Sequence, residues 1–214
     1  MKIIKIPENL KTIIFDIDST LYTCPVYAHE QVDCQVRHFA EIRGISHEEA
    51  RKLVSDFRKD WAENHEGKKI SLGNLLTYFG IPIEESIEWR KTLLEPADFL
   101  SKDETLFSAL KKLSQNFKLI SVTNNPVLPA RKTLKAIGIS DFFPEIIGLD
   151  TCHVSKPHEK PFLLAAEKTG AKTEECISVG DRFDIDLDLP LKLGMGGILV
   201  SGVEDVWKLP EILM

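Results

Sequence analysis

A doubly wound, parallel α/β sheet carrying an inserted all-helical block is the fold class this sequence predicts. Three observations carry the reading. Short runs rich in Ile and Val recur without apolar–polar alternation, as strands buried on both faces do. Amphipathic helical stripes separate the last four runs, which is the rhythm of βαβ units. Residues 22–95 hold no such run, and their apolar residues keep helical spacing. A chain of 214 residues suits one large domain or one domain carrying a smaller one. At this size a chain buries roughly 70% of its unfolded surface, so no disulfide or structural metal is required for folding.

The first run is Lys11 to Phe15 (KTIIF), which ends abruptly in acids. Next comes the helical block. Val32, Val36 and Phe39 form one stripe, stopped at Gly44. Ser46-x-x-Glu49 is a capping box opening a second helix through Ala50, Leu53, Phe57 and Trp61. Leu72, Leu75, Leu76 and Phe79 make a third, ended by Gly80, and Ile83 and Ile87 open a fourth after Pro82. Ser101-x-x-Glu104 reads as another capping box, leading into Leu106, Leu110 and Leu113. Strands follow at Phe117 to Val122, Glu145 to Leu149, Cys176 to Val179 and Gly197 to Val200. Helices between them run from Pro126 to Ile137 and from Pro161 to Thr169. The division expected is an α/β core, residues 1–21 and 96–214, with a helical block, residues 22–95, inserted after the first strand.

The 27 Lys and Arg against 33 Asp and Glu give a net charge of −6, which argues against a nucleic-acid polymer as partner. Cys24, Cys34, Cys152 and Cys176 form no C-x-x-C pair and no zinc spacing with histidine, so reduced, packed thiols are expected. No segment approaches the ~18 apolar residues of a membrane span. Lys2, Lys5 and Glu8 interrupt the start too often for a signal peptide. A cytoplasmic protein with no membrane partner is the expectation, with oligomeric state left open.

In open α/β sheets ligands bind at the carboxyl ends of the strands, so the residues just after each run are the candidates. After the first come Asp16 and Asp18, two residues apart in extended chain and hence on one side, followed by Ser19 and Thr20. After Val122 come Thr123, Asn124 and Asn125 before a helix start, which suits an anion and equally suits a plain N-cap. Lys156 follows the next strand; taken alone it reads as a solvated lysine. After Val179 come Gly180, Asp181, Asp184, Asp186 and Asp188. Gly180 permits a tight turn and Asp181 suits a hard cation, whereas Asp184 and Asp188 suit a helix dipole.

The order Asp-x-Asp-x-Thr, Thr-Asn, Lys, Gly-Asp-x-x-x-x-Asp strongly resembles the four motifs of the haloacid dehalogenase superfamily of phosphotransfer hydrolases, over residues 16–186. The second proline of its third motif is displaced here, in Lys156-Pro157-His158-Glu159-Lys160-Pro161-Phe162. The resemblance implies a Rossmann-like core with a helical cap and a Mg²⁺-dependent phosphatase acting through an aspartyl-phosphate. It makes Asp16 the nucleophile and metal ligand, and Asp18 the general acid/base with its carbonyl on the metal. Thr123 and the Asn124 backbone then bind phosphate, Lys156 neutralises charge, Asp181 ligates Mg²⁺ and Asp186 supports its water shell.

The partner implied is a small phosphorylated metabolite. Asp18-Ser19-Thr20-Leu21-Tyr22 also resembles the first motif of pyrimidine 5′-nucleotidases, which points toward a nucleoside 5′-monophosphate. The alternatives are a haloacid dehalogenase, disfavoured because Asp18 and Asp181 would be redundant, and a regulatory protein on an inactive scaffold. His29, His65, Lys68 and Lys69 are the cap residues that could reach substrate, although a solvated helix face explains each of them well. Trp61 and Trp89 suit the block's own core.

Overall fold

A computed structural model describes residues 1–67 and 70–214, so Lys68 and Lys69 lie outside the described residues. The chain divides into two compact units, Pro25–Glu95 and Met1–Cys24 with Pro96–Met214.

The first unit is helical: α1 (Pro25–Arg43), α2 (His47–Asn64), α3 (Leu72–Tyr78) and α4 (Ile83–Leu93). Most of the predicted stripe residues form its core, where Val36, Phe39, Ala50, Val54, Leu75, Leu76 and Trp89 are buried together and Trp61 is packed at the edge; Leu53 is exposed instead, and its neighbour Val54 takes the core position on α2. Ser46 caps α2 with the reciprocal Glu49 bond of a capping box, satisfying two N–H groups that the helix start would otherwise leave open. Asp33 on α1 accepts from Arg37 one turn on and from both Nε and Nη2 of Arg51 on α2, which ties the two helices together. His29 and His65 are exposed, and His65 stacks on Trp61.

The second unit is a six-stranded sheet: β1 (Lys2–Lys5), β2 (Thr12–Phe15), β3 (Lys118–Val122), β4 (Ile146–Ile147), β5 (Cys176–Gly180) and β6 (Gly196–Leu199), in the order β1-β6-β5-β2-β3-β4. All neighbours are parallel except β1, which runs antiparallel along β6. Helices α5 (Glu104–Leu113), α6 (Val127–Ala136), α7 (Leu149–Cys152), α8 (Glu159–Thr169) and α9 (Asp188–Lys192) join the strands, and α10 (Val203–Val206) and α11 (Leu209–Leu213) end the chain. On one face Ile14, Ile120 and Val122 pack with Phe162, Ala165 and Ala166 of α8. From β2 the chain winds to β3 on one side and to β5 on the other, so the topological switch point lies at the carboxyl end of β2.

Three local expectations need correction. Residues 2–5 form an edge strand that the charged pattern concealed. The run at 145–149 pairs only at Ile146 and Ile147, because Leu149 already opens α7. The N-cap of α5 is Asp103, whose Oδ1 accepts from the Leu106 N–H, in place of Ser101. The four cysteines are free, with all but Cys24 buried. Among the described residues no helix is long and apolar enough to cross a membrane.

Candidate active site

The sheet register aligns the carboxyl ends of three strands: Phe15 lies opposite Ser121 of β3 and Val179 of β5. Asp16 extends that ladder by one step, its N–H donating to the Val179 carbonyl at 2.9 Å, which fixes its side chain at the edge. The chain then folds into a turn in which the Ile17 carbonyl accepts from Thr20 and Leu21. Ser19 adopts φ +60°, the left-handed region that a non-glycine residue enters at a cost. The turn returns the Thr20 hydroxyl to Asp16 Oδ2 at 3.2 Å and the Tyr22 hydroxyl to Asp18 Oδ1 at 2.5 Å.

Lys156 is buried, not solvated. Its ammonium bridges two carboxylates, 2.6 Å from Asp16 Oδ1 and 2.7 Å from Asp186 Oδ1. Burial works to lower its pKa, but the charges of Asp16 and Asp186 outweigh it and hold the ammonium charged. At Asp16, by contrast, burial dominates and pushes the carboxyl up to about 7, against the lowering by Lys156 and with the charges of Asp186 and Asp18 adding to the rise.

Asp186 arrives through the π-helical turn Phe183–Leu187. Its Oδ2 accepts the Arg182 N–H at 3.0 Å, and its carbonyl accepts the Ser178 hydroxyl. A Cβ on Gly180 would lie 2.4 Å from the Asp186 Cβ, so only glycine leaves room for this carboxylate against the strand end. The glycine is needed for close approach rather than for the tight turn expected from the sequence. Asp181 is half-buried, its Oδ1 buried without a hydrogen-bond partner and 3.9 Å from Arg182 Nε. Burial raises its pKa, and the charge of Asp186 adds to the rise.

Carboxylate oxygens of Asp16, Asp181 and Asp186 lie within 4.8 Å of one another. An all-oxygen donor set of this kind, with one buried oxygen lacking a partner, fits a hard divalent cation. Asp184 stands exposed and Asp188 pairs with Lys192 one turn on, so neither joins the cluster.

Thr123 is buried at the end of β3, its Oγ1 accepting the Asn125 N–H. The Asn124 side chain grips the Lys156 backbone from both sides: Oδ1 accepts its N–H at 2.6 Å and Nδ2 donates to its carbonyl at 3.2 Å. Asn125 Nδ2 donates to Asp18 Oδ2 at 2.8 Å. The sequence reading passed over the roles of Tyr22, Asn125 and the Asn124 side chain. Only the i, i+4 spacing of Asp18 and Tyr22 offered a signal; the other two depend on loops distant in sequence.

The haloacid dehalogenase-like hydrolase family model matches residues 10–189. Glyceraldehyde 3-phosphate phosphatase of Methanopyrus kandleri is 29% identical over 87% of this chain and 82% of its own length. The 5-amino-6-(5-phospho-D-ribitylamino)uracil phosphatase YigB of Escherichia coli is 23% identical over 95% and 85%. Among solved structures, a HAD phosphatase from Thermococcus onnurineus superposes with a TM-score of 0.65 at 22% identity, covering 95% of this chain and 98% of that one.

Proposed function

This chain belongs to the haloacid dehalogenase-like hydrolases and is a phosphoric monoester hydrolase, and we propose that it is a Mg²⁺-dependent phosphatase of a small metabolite that works through an aspartyl-phosphate on Asp16. The observation that carries this reading is the buried Lys156 ammonium shared by Asp16 and Asp186, beside an Asp181 oxygen with no hydrogen-bond partner.

A carboxylate attacking a phosphate dianion meets like charge, so the site must supply positive charge and fixed geometry. Asp16 attacks phosphorus and the bond to the ester oxygen breaks. Asp18 gives its proton to the leaving alkoxide. Asp18 then takes a proton from water, the water oxygen attacks phosphorus, and the Asp16–phosphorus bond breaks. The Thr123 hydroxyl and the Asn124 N–H hold phosphate oxygens, and Lys156 offsets charge between Asp16 and the phosphate. Asp16, Asp181 and the Asp18 carbonyl, with Asp186 supporting them, would hold a divalent cation, which when bound would supply positive charge that keeps Asp16 ionised. The helical unit, Pro25–Glu95, acts as a selective cap, and the protein works in the cytoplasm.

Glyceraldehyde 3-phosphate and the phosphoribitylamino compound named for the two relatives are both phosphate esters of primary alcohols. We infer the same class here, which includes nucleoside 5′-monophosphates. Alkoxides of this class leave poorly, which is why a proton donor at Asp18 is needed. The test is phosphate release from a panel of triose phosphates, polyol phosphates, phosphoglycolate and nucleoside monophosphates, with Mg²⁺ and with EDTA. Release that needs Mg²⁺ and vanishes in Asp16→Asn is expected. Parental turnover in Asp16→Asn, or full turnover in EDTA, overturns the mechanism.

A further inference from the structure

We propose that Asn125 is a positioning residue for the proton-transferring carboxylate, aiming Asp18 through its side-chain amide; this rests on the phosphatase reading above. Asp18 stands in a turn beyond the end of β2, half-buried, and a carboxylate there has rotamer freedom that a proton shuttle cannot tolerate. Two donors remove that freedom. Tyr22 holds Oδ1 from the same turn, and Asn125 holds Oδ2 from the loop after β3.

Asn125 can act as a fixed post because its backbone is itself tied on both sides. Its N–H donates to Thr123 Oγ1 at 3.1 Å, and its carbonyl accepts the Leu149 N–H at 3.0 Å. The second tie needs glycine at 148: a Cβ there would lie 2.8 Å from the Asn125 carbonyl oxygen and 2.7 Å from the Val127 nitrogen. The loop after β3 thus reaches two other loops through adjacent residues. Asn124 grips the backbone of Lys156, and Asn125 grips the side chain of Asp18. Only the second contact touches proton transfer, so its loss has a distinct kinetic signature.

With p-nitrophenyl phosphate the leaving group needs little protonation, so Asp18 matters little for forming the phosphoenzyme and much for hydrolysing it. Rapid mixing with Mg²⁺ reads the first step as a burst and the second as the steady state. Asn125→Ala is expected to keep the burst rate within about threefold and to lower the steady state by about 10–100-fold, part of the ~10²–10⁴ that general acid–base catalysis supplies. Asn125→Asp keeps the side chain's shape while turning the donor into a like charge, and is expected to fall further. In an Asp18→Asn background, Asn125→Ala is expected to change the steady state by no more than about twofold, because a residue acting through Asp18 has nothing left to act on. A burst lowered as much as the steady state, parental kinetics in Asn125→Ala, or a multiplicative loss in the double variant each overturns the proposal. A parent that releases no phosphate overturns the phosphatase reading, and this role with it.

Discussion

Each unit buries an aspartate that is paired with positive charge, and the two aspartates are pushed in opposite directions. In the helical unit Asp33 accepts from Arg51 and Arg37, and these hydrogen bonds outweigh burial and hold its carboxyl well below the usual range. In the sheet unit Asp16 has one ammonium, shared with Asp186, and burial wins, pushing it up to about 7. The difference lies in the balance of charge. Around Asp33 two guanidinium groups face two acids, Asp33 and Glu30. At the carboxyl edge of the sheet Asp16 and Asp186 share the single ammonium of Lys156, with a third carboxylate, Asp181, clustered beside them. The first arrangement is electrostatically complete and serves the fold. The second is short of positive charge, the imbalance that the proposed cation and phosphate site would draw on.

The comparison predicts opposite outcomes for equivalent substitutions. Asp16→Asn removes the proposed nucleophile, and turnover is expected to fall by several orders of magnitude, since an amide does not form the covalent intermediate that divides the reaction. The same change removes a destabilised charge and leaves Lys156 paired with Asp186, so the melting temperature is expected to hold or rise. A fall of several degrees with activity retained would reverse the assignment of the two clusters. Asp18→Asn keeps the proposed nucleophile and removes the proposed proton shuttle. It should cost about 10²–10⁴-fold in steady-state turnover while leaving a phosphoenzyme burst with p-nitrophenyl phosphate. Rapid mixing decides the point, and an unchanged steady state would remove Asp18 from the chemistry.

Much of this architecture was readable in the sequence, for reasons that also explain what was not. The runs at β2, β3, β5 and β6 are unbroken because those strands are almost wholly buried. β1 escaped notice because an edge strand flanked by Lys2 and Lys5 carries exposed charge, as edges that resist aggregation do. Asp16 and Asp181 stood out because each directly follows a strand, where sheet topology gathers residues distant in sequence; Thr123 and Lys156, which alone read as an N-cap and a solvated lysine, stood out only through the order of the four motifs and the family it resembles. Their partners did not. Asn124 meets Lys156 from 32 residues away and Asn125 meets Asp18 from 107 away, and no local pattern encodes either contact. The capping residue of α5 was misplaced for a smaller reason: Ser101 and Asp103 are both good N-caps, and the tertiary path of the chain chose Asp103.

A milder change probes the charge-poor cluster without touching a carboxylate. In Gly180→Ala the new methyl meets Asp186 Cβ at 2.4 Å and Cγ at 2.6 Å, so the Asp186 carboxylate must move away from Lys156 and from the Arg182 N–H. Since Asp186 acts here by supporting other groups, turnover is expected to fall about 10–100-fold, with the Mg²⁺ concentration for half-activity rising, as losses behind a metal site usually do. Saturation with Mg²⁺ should recover part of the loss. Unchanged Mg²⁺ dependence would mean that Asp186 serves the sheet and not the cation.

The smallest expected effect tests the charge-complete cluster. Asp33→Asn keeps the size of the side chain and removes the charge between Arg37 and Arg51. Hydrogen bonds between charged partners contribute about 1.5–3 kcal/mol each when shielded. Here solvent reaches the partners, since the Arg51 side chain is 48% exposed, so the expected loss for the helical unit is about 1–2 kcal/mol. Urea unfolding followed by the fluorescence of Trp61 and Trp89 reads that unit, in a Trp207→Phe background that removes the signal from the sheet unit. The pH dependence then separates charge from packing. Because the folded carboxyl titrates below its unfolded value of about 3.9, its contribution is complete above that pH and is lost as pH falls through the folded value. The gap between parent and Asp33→Asn should therefore be full at pH 7, begin to close below about pH 4, and shrink steadily in more acid solution. A gap that stays constant from pH 7 to pH 3 would mean that Asp33 holds α1 and α2 together by shape alone, and the contrast between the two clusters would lose its electrostatic basis.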